Sequence, residues 1–276
     1  MEYNNKEIEK IKVIVDELEK FRKNIISIDY IHNKTDFFEI MEKFRKYLVE
    51  ISVWNNFEIF YHSKYYKFYK DFFTDINEYY IRSLESMQAL SVMTQWVHNF
   101  ESVSEFLNSD FLKEGFERKS KEFAVIDSSK VKNIVFVWCW PFPETMLYIY
   151  ENMNVDKILW LDYNHEAIYM AWEMMNGLWY TNISFKQIDA VDFDYSDADV
   201  VFMPLFVSKK SKVLNQIEKT WKNSVQILSI SAKHFLNLVF EWMWDIDNNR
   251  LEVVSRDYLS TEFSTQEIIK LEKYDF

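Results

Sequence analysis

Hydrophobic side chains recur at three- and four-residue steps among charged ones through the first 130 residues of the chain. Ile8, Ile11, Val15 and Leu18 begin this pattern. Such steps place side chains on one face of an α-helix. The same region contains no proline and none of the alternation that is typical of strands. The pattern therefore predicts an all-helical N-terminal domain of about five helices over residues 1–130.

From Val131 onward, short apolar runs alternate with amphipathic stretches. The runs predict strands at Asn133–Val137, Lys157–Asp162, Ile183–Ile188, Asp199–Met203 and Val225–Ser231, with edge strands at Leu251–Ser255 and Glu267–Glu272. Helices are predicted between them at Pro143–Asn152, His165–Asn176, Ser208–Thr220 and Ala232–Phe240. This alternation is typical of an α/β fold with a Rossmann-like, doubly wound and mainly parallel sheet. We therefore expect a single α/β domain over residues 131–276.

The turn after the first predicted strand lies where doubly wound folds hold the phosphate or carboxylate of a ligand. It reads Trp138-Cys139-Trp140-Pro141. Such a turn ordinarily needs glycine, because its backbone takes positive φ and comes close to the ligand. Tryptophan occupies both positions where glycine is expected, so these residues conflict with the conformation that the surrounding pattern predicts.

Glycine is rare throughout the chain. Gly115 and Gly177 are its only glycines, whereas ordinary usage predicts about 19 in a chain of this length. The chain has 10 tryptophans, and several stand where a turn or a helix end favours glycine, namely Trp138, Trp140, Trp179 and Trp221. One hypothesis is that the codon UGA means glycine in the source gene and has been translated as tryptophan. The alternative is a protein that is genuinely rich in tryptophan.

Charge and composition narrow the classes of function. The net charge of −12 argues against the basic surface that nucleic-acid binding needs, so a small-molecule ligand is expected. No apolar run reaches the roughly 18 residues of a membrane span, and the N-terminal sequence lacks a signal-peptide core. We therefore expect a cytoplasmic protein that does not bind membranes. Cys139 is the only cysteine and the histidines lack metal-ligand spacing, so neither a disulfide nor a metal site is expected.

Two aspartates end the second and third predicted strands, at the edge of the sheet where such folds bind ligands. Asp162 follows the turn by about 20 residues, the distance at which an acid binds the ribose hydroxyls of a nucleoside. Asp189, with Ala190 after it, can accept a hydrogen bond from the exocyclic amine of adenine. Each acid alone is equally consistent with a helix cap or a solvated charge. Their joint spacing favours a nucleoside cofactor, and a nicotinamide cofactor shares the turn and the first acid.

The region from Asn133 to about Asp247 contains a motif that is similar to that of a known family. The chain reads Trp138-Cys139-Trp140-Pro141-Phe142-Pro143-Glu144-Thr145, which resembles the Gly-x-Gly-Pro-x-Pro-x-Thr turn of nicotianamine synthases and bacterial opine-metallophore synthases. It matches the prolines and the threonine and departs at both glycines. The strand ends Leu161-Asp162-Tyr163-Asn164 and Asp199-Val200-Val201-Phe202-Met203 also resemble those of this family, which lies within the class I methyltransferases.

The resemblance implies an enzyme that uses S-adenosylmethionine. Its implied cofactor-binding residues are Trp138, Cys139, Trp140, Pro141, Asp162, Tyr163, Asp189, Ala190 and Met203. These synthases transfer the aminobutyryl group of the cofactor to a small-molecule amine, release methylthioadenosine and so build a metal-chelating small molecule. A small-molecule methyltransferase and a non-catalytic binding protein on the same fold stay open as alternatives.

The family also carries a glutamate from its helical domain and a tyrosine that face the pocket, where the attacking amine must lose a proton. For this chain the resemblance implies Glu85 and Tyr80 as the catalytic residues, and Glu117 is a competing candidate for the carboxylate. Each of the three is also consistent with a helix-surface charge or an aromatic core residue.

Overall fold

The computed structural model describes residues 5–52, 57–99, 110–138, 143–176, 180, 182–207, 209–221, 225–240, 251–261 and 264–273. Within these ranges five helices precede the sheet: α1 (Asn5–Ser27), α2 (Lys34–Ser52), α3 (Phe57–Tyr61), α4 (Lys64–Asn99) and α5 (Asp110–Phe123). They are followed by β1 (Asn133–Val137), α6 (Glu144–Asn152), β2 (Lys157–Asp162), α7 (His165–Asn176), β3 (Ile183–Gln187), β4 (Val200–Met203), α8 (Lys210–Thr220), β5 (Gln226–Ala232), β6 (Leu251–Thr261) and β7 (Ser264–Lys273). The predicted order, helices first and then strands alternating with helices, is confirmed. In the described part of the chain, no helix has both the length and the apolar character that crossing a membrane requires.

The helix α2 shows why the N-terminal residues are helical. Phe37, Met41, Phe44 and Leu48 follow one another at helical spacing and are fully buried. The ring of Phe44 stacks on Phe73 of α4, with 4.2 Å between the ring centroids. Because burying one large apolar side chain contributes about 1.5–3 kcal/mol, this stripe stabilises α2 more than its intrinsic helix propensity does.

The strands form one seven-stranded sheet in the order β3-β2-β1-β4-β5-β7-β6. The strand β1 pairs in parallel with β2 and with β4, while β3 and β5 extend the parallel part on either side. The direction of winding reverses between β1 and β4, and in such sheets a crevice forms outside the carboxyl ends of the strands at this point. Asp199 fixes the start of β1, because its Oδ2 accepts the backbone N–H groups of Lys132 and Asn133 at 2.9 and 2.8 Å.

The segment after β5 differs from its prediction. A helix was expected over Ala232–Phe240, but β5 continues to Ala232 and only a short 3-10 turn forms, at His234–Leu238. Side chains of α4 bond the carbonyls of this segment: Lys70 donates to the Phe240 carbonyl at 2.5 Å, and Thr74 donates to the Leu238 carbonyl at 3.3 Å. The tight turn is therefore satisfied from α4, and the α-helix prediction is wrong.

The chain divides into two compact units. The first comprises Met1–Ile81, Ser231–Trp242 and Tyr258–Glu267, and the second comprises Arg82–Ile230, Met243–Asp257 and Ile268–Phe276. The second unit contains β1 to β4 together with α5 to α8. The predicted domain boundary between residues 130 and 131 stays a prediction.

Two tryptophan positions bear on the recoding hypothesis. Trp138 has a φ of 79°, in the left-handed region that glycine favours. Trp221, which ends α8, has a φ of −70° and a ψ of 160°. This is extended backbone that any residue adopts, so the prediction that the end of α8 favours glycine is wrong. Trp140 and Trp179 lie outside the described residues. The backbone thus supports the hypothesis at 138 and gives it no support at 221.

Candidate functional site

A cleft lies at the carboxyl ends of β1, β2 and β3, within the second unit. It encloses about 340 Å³ of space that is partly open to solvent. Its lining comes from the ends of β1, β2 and β3 and from the segment that leads from β4 into α8. It consists of Val137, Trp138, Leu161, Asp162, Tyr163, Ile188, Asp189, Ala190, Val207, Lys209 and Val213. Five predicted cofactor-binding residues, Trp138, Asp162, Tyr163, Asp189 and Ala190, therefore lie together in this cleft.

Asp162 closes β2 and is only 3% exposed. Its Oδ1 accepts the backbone N–H of Asn164 at 2.7 Å, and the Asn164 side chain accepts the N–H of Glu166 at 2.8 Å, at the start of α7. These two bonds hold the turn from strand to helix and so fix the carboxylate in the wall of the cleft. A carboxylate has about four acceptor sites, which suits neighbouring hydroxyl donors such as those of a ribose.

Asp189 caps a 3-10 turn and also lines the cleft. Its Oδ1 accepts the N–H of Val191 at 3.2 Å, while its Oδ2 lies 3.3 Å from Nζ of Lys209. Lys209 precedes α8 and has a φ of 70°, so the chain turns sharply to bring this ammonium to the cleft. The cap interpretation of Asp189 is therefore confirmed, whereas its role in binding a cofactor stays a prediction.

Trp138 fills the first position of the predicted ligand-binding turn. Its backbone N–H donates to the Leu161 carbonyl at 2.8 Å, so the turn leaves β1 beside the end of β2. Its side chain is 7% exposed, and its ring meets the ring of Tyr163 edge-on, with 5.7 Å between centroids. Among the described residues its Nε1 has no hydrogen-bond partner, which costs about 1–3 kcal/mol for a buried donor. Cys139, Trp140 and Pro141 lie outside the described residues.

Arg82 of α4 lies against two aromatic residues of the cleft. Its Cζ is 4.6 Å from the centroid of the Trp138 ring and 5.1 Å from that of Tyr163. Its Nη2 donates to the hydroxyl of Tyr163 at 2.7 Å. Contacts of this kind between a guanidinium and aromatic faces contribute about 0.5–2 kcal/mol each. They hold a fixed positive charge at the cleft.

Glu85, one helical turn after Arg82, has an unusual proton affinity. Burial raises its pKa first and the nearby carboxylate of Glu144 raises it further, whereas Arg118 and Lys119 act in the opposite direction; the net result is a pKa of about 8. Glu144 is held in place by Arg118, whose Nη2 lies 2.8 Å from Oε2 of Glu144. Gly115 of α5 makes room for this carboxylate, because a Cβ at that position would collide with Oε1 of Glu144.

The other predicted site residues lie elsewhere. Tyr80 is buried in the first unit, with its ring 5.5 Å from Phe38 and 5.8 Å from the guanidinium carbon of Arg45, and burial raises the pKa of its hydroxyl. Met203 ends β4 and is fully buried in the hydrophobic core of the second unit. Glu117 is exposed on α5. The roles of all three stay predictions.

Sequence reasoning missed four residues that shape this region: Arg82, Gly115, Glu144 and Lys209. Arg82 stands three residues before Glu85 on one helix, and this spacing places both on the same face. That signal was readable in the sequence. The contact between Gly115 and Glu144 joins α5 to α6 and left no sequence signal.

No protein-family model and no curated protein matches the sequence. The fold itself is a Rossmann-like α/β fold, with helices preceding the sheet. Solved structures of MtNAS, a nicotianamine synthase, are similar to it along nearly its whole length.

Three structures of MtNAS give the extent of this likeness. The complex with MTA and tNA matches with a TM-score of 0.63 and 14% identity, over 96% of this chain and 97% of that chain. A mutant with one glutamate replaced by glutamine matches with a TM-score of 0.63 and 14% identity, over 98% of this chain and 99% of that chain. The same mutant in complex with S-adenosylmethionine matches with a TM-score of 0.68 and 11% identity, over 93% of this chain and 97% of that chain. At these identities the likeness establishes the fold alone.

Proposed function

We propose that this chain is a cytoplasmic transferase that moves the aminobutyryl group of S-adenosylmethionine to a small-molecule amine, as nicotianamine synthases do, in the biosynthesis of a metal-chelating small molecule. One observation carries the proposal: a glutamate with a pKa of about 8, Glu85, follows by one turn an arginine that contacts the cleft. A carboxylate with a pKa this high is suited to take a proton from an amine near neutral pH.

The residues of the cleft fit the adenosine part of S-adenosylmethionine. Asp162 and Asp189 are acceptors at the ends of β2 and β3. Ile188 and Ala190, which flank Asp189 in the sequence, provide apolar surface for the adenine ring. The indole of Trp138 is the exception, since it is buried where the turn after β1 has to approach the ligand. The acceptors and the apolar surface support the proposal for the nucleoside end, and the indole of Trp138 restricts the cleft at the turn.

The residues of the cleft and of α4 have separate roles in the proposed reaction. S-adenosylmethionine, when bound, supplies an electrophilic carbon next to a sulfonium. Glu85 takes a proton from the attacking amine, so that the nitrogen lone pair is available for the new C–N bond. The C–S bond breaks, and its electron pair leaves with methylthioadenosine. Asp162 and Asp189 hold the nucleoside and thereby determine which carbon faces the amine.

The contents of the similar MtNAS structures support the choice of reaction. The MtNAS structures contain S-adenosylmethionine in one case and MTA with tNA in another, and one MtNAS protein has a glutamate replaced by glutamine. In this chain Glu85 of α4, whose pKa is raised to about 8, is the glutamate that we propose as the base. We therefore assign the catalytic carboxylate to Glu85 in preference to the exposed Glu117.

The by-product of S-adenosylmethionine tests the function. The purified chain is incubated with S-adenosylmethionine, alone and with a panel of amino acids, and the products are separated by liquid chromatography with mass detection. The same assay is run on the chain with glycine at all ten tryptophan positions, which removes the restriction at the turn. We expect methylthioadenosine. S-adenosylhomocysteine would instead identify a methyltransferase, and unchanged S-adenosylmethionine in both proteins would identify a non-catalytic binding protein.

A further inference from the structure

Arg82 is placed between two rings that differ in exposure. Trp138 is 7% exposed, whereas Tyr163 is 48% exposed, and the guanidinium lies within about 5 Å of both ring centroids. Its position is therefore the rim of the cleft, where a buried wall meets solvent. The hydrogen bond to the Tyr163 hydroxyl fixes the orientation of the guanidinium plane.

The charges of the cleft are arranged asymmetrically. The carboxylates Asp162 and Asp189 lie at the ends of β2 and β3, and Lys209 forms an ion pair with the second of them. Arg82 provides a positive charge on the side of β1 and β2, through its contacts with Trp138 and Tyr163. A ligand that matches this pattern has hydroxyl and amine donors at one end and an anion at the other.

The geometry of the guanidinium favours one kind of anion. A guanidinium is planar and carries five N–H donors in a fork that matches the two oxygens of a carboxylate. Arg82 is half-buried, and a hydrogen bond between two charged groups is stronger than one between neutral groups. A carboxylate is thus a better partner for this position than a neutral group.

The position of Arg82 on α4 relates it to the proposed base. Arg82 and Glu85 are three residues apart in one helix, so their side chains leave the same face. A carboxylate held by the first lies near an amine that is deprotonated by the second. The amino-acid part of S-adenosylmethionine carries its carboxylate and its transferable carbon in one short chain. The spacing of Arg82 and Glu85 suits a group of this kind.

We propose that Arg82 binds the α-carboxylate of the amino-acid part of S-adenosylmethionine. It thereby selects a sulfonium that carries an amino acid over other adenosyl ligands. Tyr163 orients the guanidinium for this contact. The inference rests on the proposed function for the identity of the cofactor, and it adds the group that recognises its anionic end.

Two probes that differ in one group test this inference. S-adenosylmethionine and decarboxylated S-adenosylmethionine share the nucleoside, the sulfonium and the amine, and only the first has the carboxylate. Their affinities are measured by calorimetry for the full chain, for Arg82→Gln, for Arg82→Lys and for Tyr163→Phe. Each is prepared both with Trp138 and with glycine at that position, and circular dichroism verifies that the variants are folded.

We expect Arg82→Gln to weaken S-adenosylmethionine about ten- to a hundredfold, the range for a hydrogen-bonded charge, and to leave the decarboxylated probe unchanged. Arg82→Lys keeps the charge without the planar fork, so it should recover part of the loss. Tyr163→Phe should cause a smaller loss, again only for the carboxylate-bearing probe. Equal losses for both probes, or no loss in Arg82→Gln, would overturn the inference while leaving the proposed function intact. Absence of binding of both probes to every form of the chain would overturn the inference and the proposed function together.

Discussion

The carboxylate of Glu144 occupies the space directly over Gly115, where the Cβ of any other residue would collide with its Oε1. Arg118 fixes the carboxylate there with a 2.8 Å ion pair. Since Glu144 is the charged group that most raises the pKa of Glu85, a glycine on α5 indirectly controls the proton affinity of a residue on α4.

This relationship predicts that Gly115→Ala and Glu144→Gln change the pKa of Glu85 in the same direction. Glu144→Gln removes the negative charge near Glu85 and Gly115→Ala displaces it, so in both the pKa of Glu85 falls below about 8, while burial, which raises it most, remains. The ionised form of Glu85 is then present at lower pH. A titration of carboxyl carbons by NMR, assigned with Glu85→Gln, measures the shift in the ligand-free protein.

Glu151→Gln is the matched control for this titration, because Glu151 is an exposed residue of the same helix as Glu144 and its removal should leave the pKa of Glu85 unchanged. A second comparison uses the double variant: Gly115→Ala should add little once Glu144 is already glutamine. A pKa of Glu85 that stays near 8 in both single variants would show that Glu144 does not govern it.

The backbone at Trp138 predicts an unusual order of stabilities. Trp138→Gly and Trp138→Ala delete the same indole, but only glycine adopts a φ of 79° without strain. We expect the glycine variant to be more stable than the alanine variant by about 1–2 kcal/mol, measured by denaturant unfolding.

Trp221 provides the control pair, because its φ of −70° suits every residue. There the order should reverse, with alanine more stable than glycine by about 0.4–1 kcal/mol through the entropy of the unfolded chain. Equal stabilities of the two variants at position 138 would mean that its backbone is not held in the left-handed region in solution.

The codons of the source gene test the recoding hypothesis without any protein. UGA at positions 138, 140, 160, 179 and 221 is the expected result, and UGG there would refute it.

Trp160 gives the corresponding protein measurement. It is 2% exposed, and its ring stacks on Phe136 with 5.1 Å between centroids. If tryptophan is genuine there, replacement by glycine costs about 3–5 kcal/mol. If it is not, the chain with glycine at all ten positions melts at a higher temperature than the chain as written.

Structure that depends on residues close together in the sequence could be predicted, and structure that depends on distant residues could not. The strands β1 to β4 were predicted within one residue at each end, because runs such as Asn133–Val137 are buried as a whole and bounded by turns. The acids at the strand ends were predicted for the same reason: Asp162 and Asp189 reach the cleft simply because parallel strands end at one edge.

Predictions failed where a distant segment decides the local structure. The turn His234–Leu238 is bonded by side chains of α4 that precede it by more than 150 residues in sequence, so local periodicity suggested a helix there. The positive φ of Lys209 and the packing of the Glu144 carboxylate against Gly115 likewise depend on tertiary contacts. None of these contacts has a sequence spacing that a pattern can reveal.

The place of Asp162 in the cleft predicts a loss of cofactor binding on truncation. Asp162→Ala should weaken S-adenosylmethionine by about 1.5–3 kcal/mol, the range for hydrogen bonds to a charged group, and the protein should stay folded. Calorimetry on the chain with glycine at position 138 measures the loss. Asp156→Ala, which removes an exposed acid before β2, should bind as the parent chain does. Unchanged affinity in Asp162→Ala would remove this residue from the site.

The rate of methylthioadenosine formation in a pair of glutamate variants tests whether Glu85 is the base of the reaction. Glu85→Gln keeps the shape of the side chain and removes the base, whereas Glu117→Gln changes an exposed residue of α5. In the chain with glycine at the ten tryptophan positions, supplied with S-adenosylmethionine and the amino-acid panel, the rate should rise as the pH passes through about 8, because Glu85 becomes ionised there. Loss of at least about a hundredfold in Glu85→Gln, together with an unchanged rate in Glu117→Gln, is the predicted result. An undiminished rate of methylthioadenosine formation in Glu85→Gln would show that Glu85 is not the base.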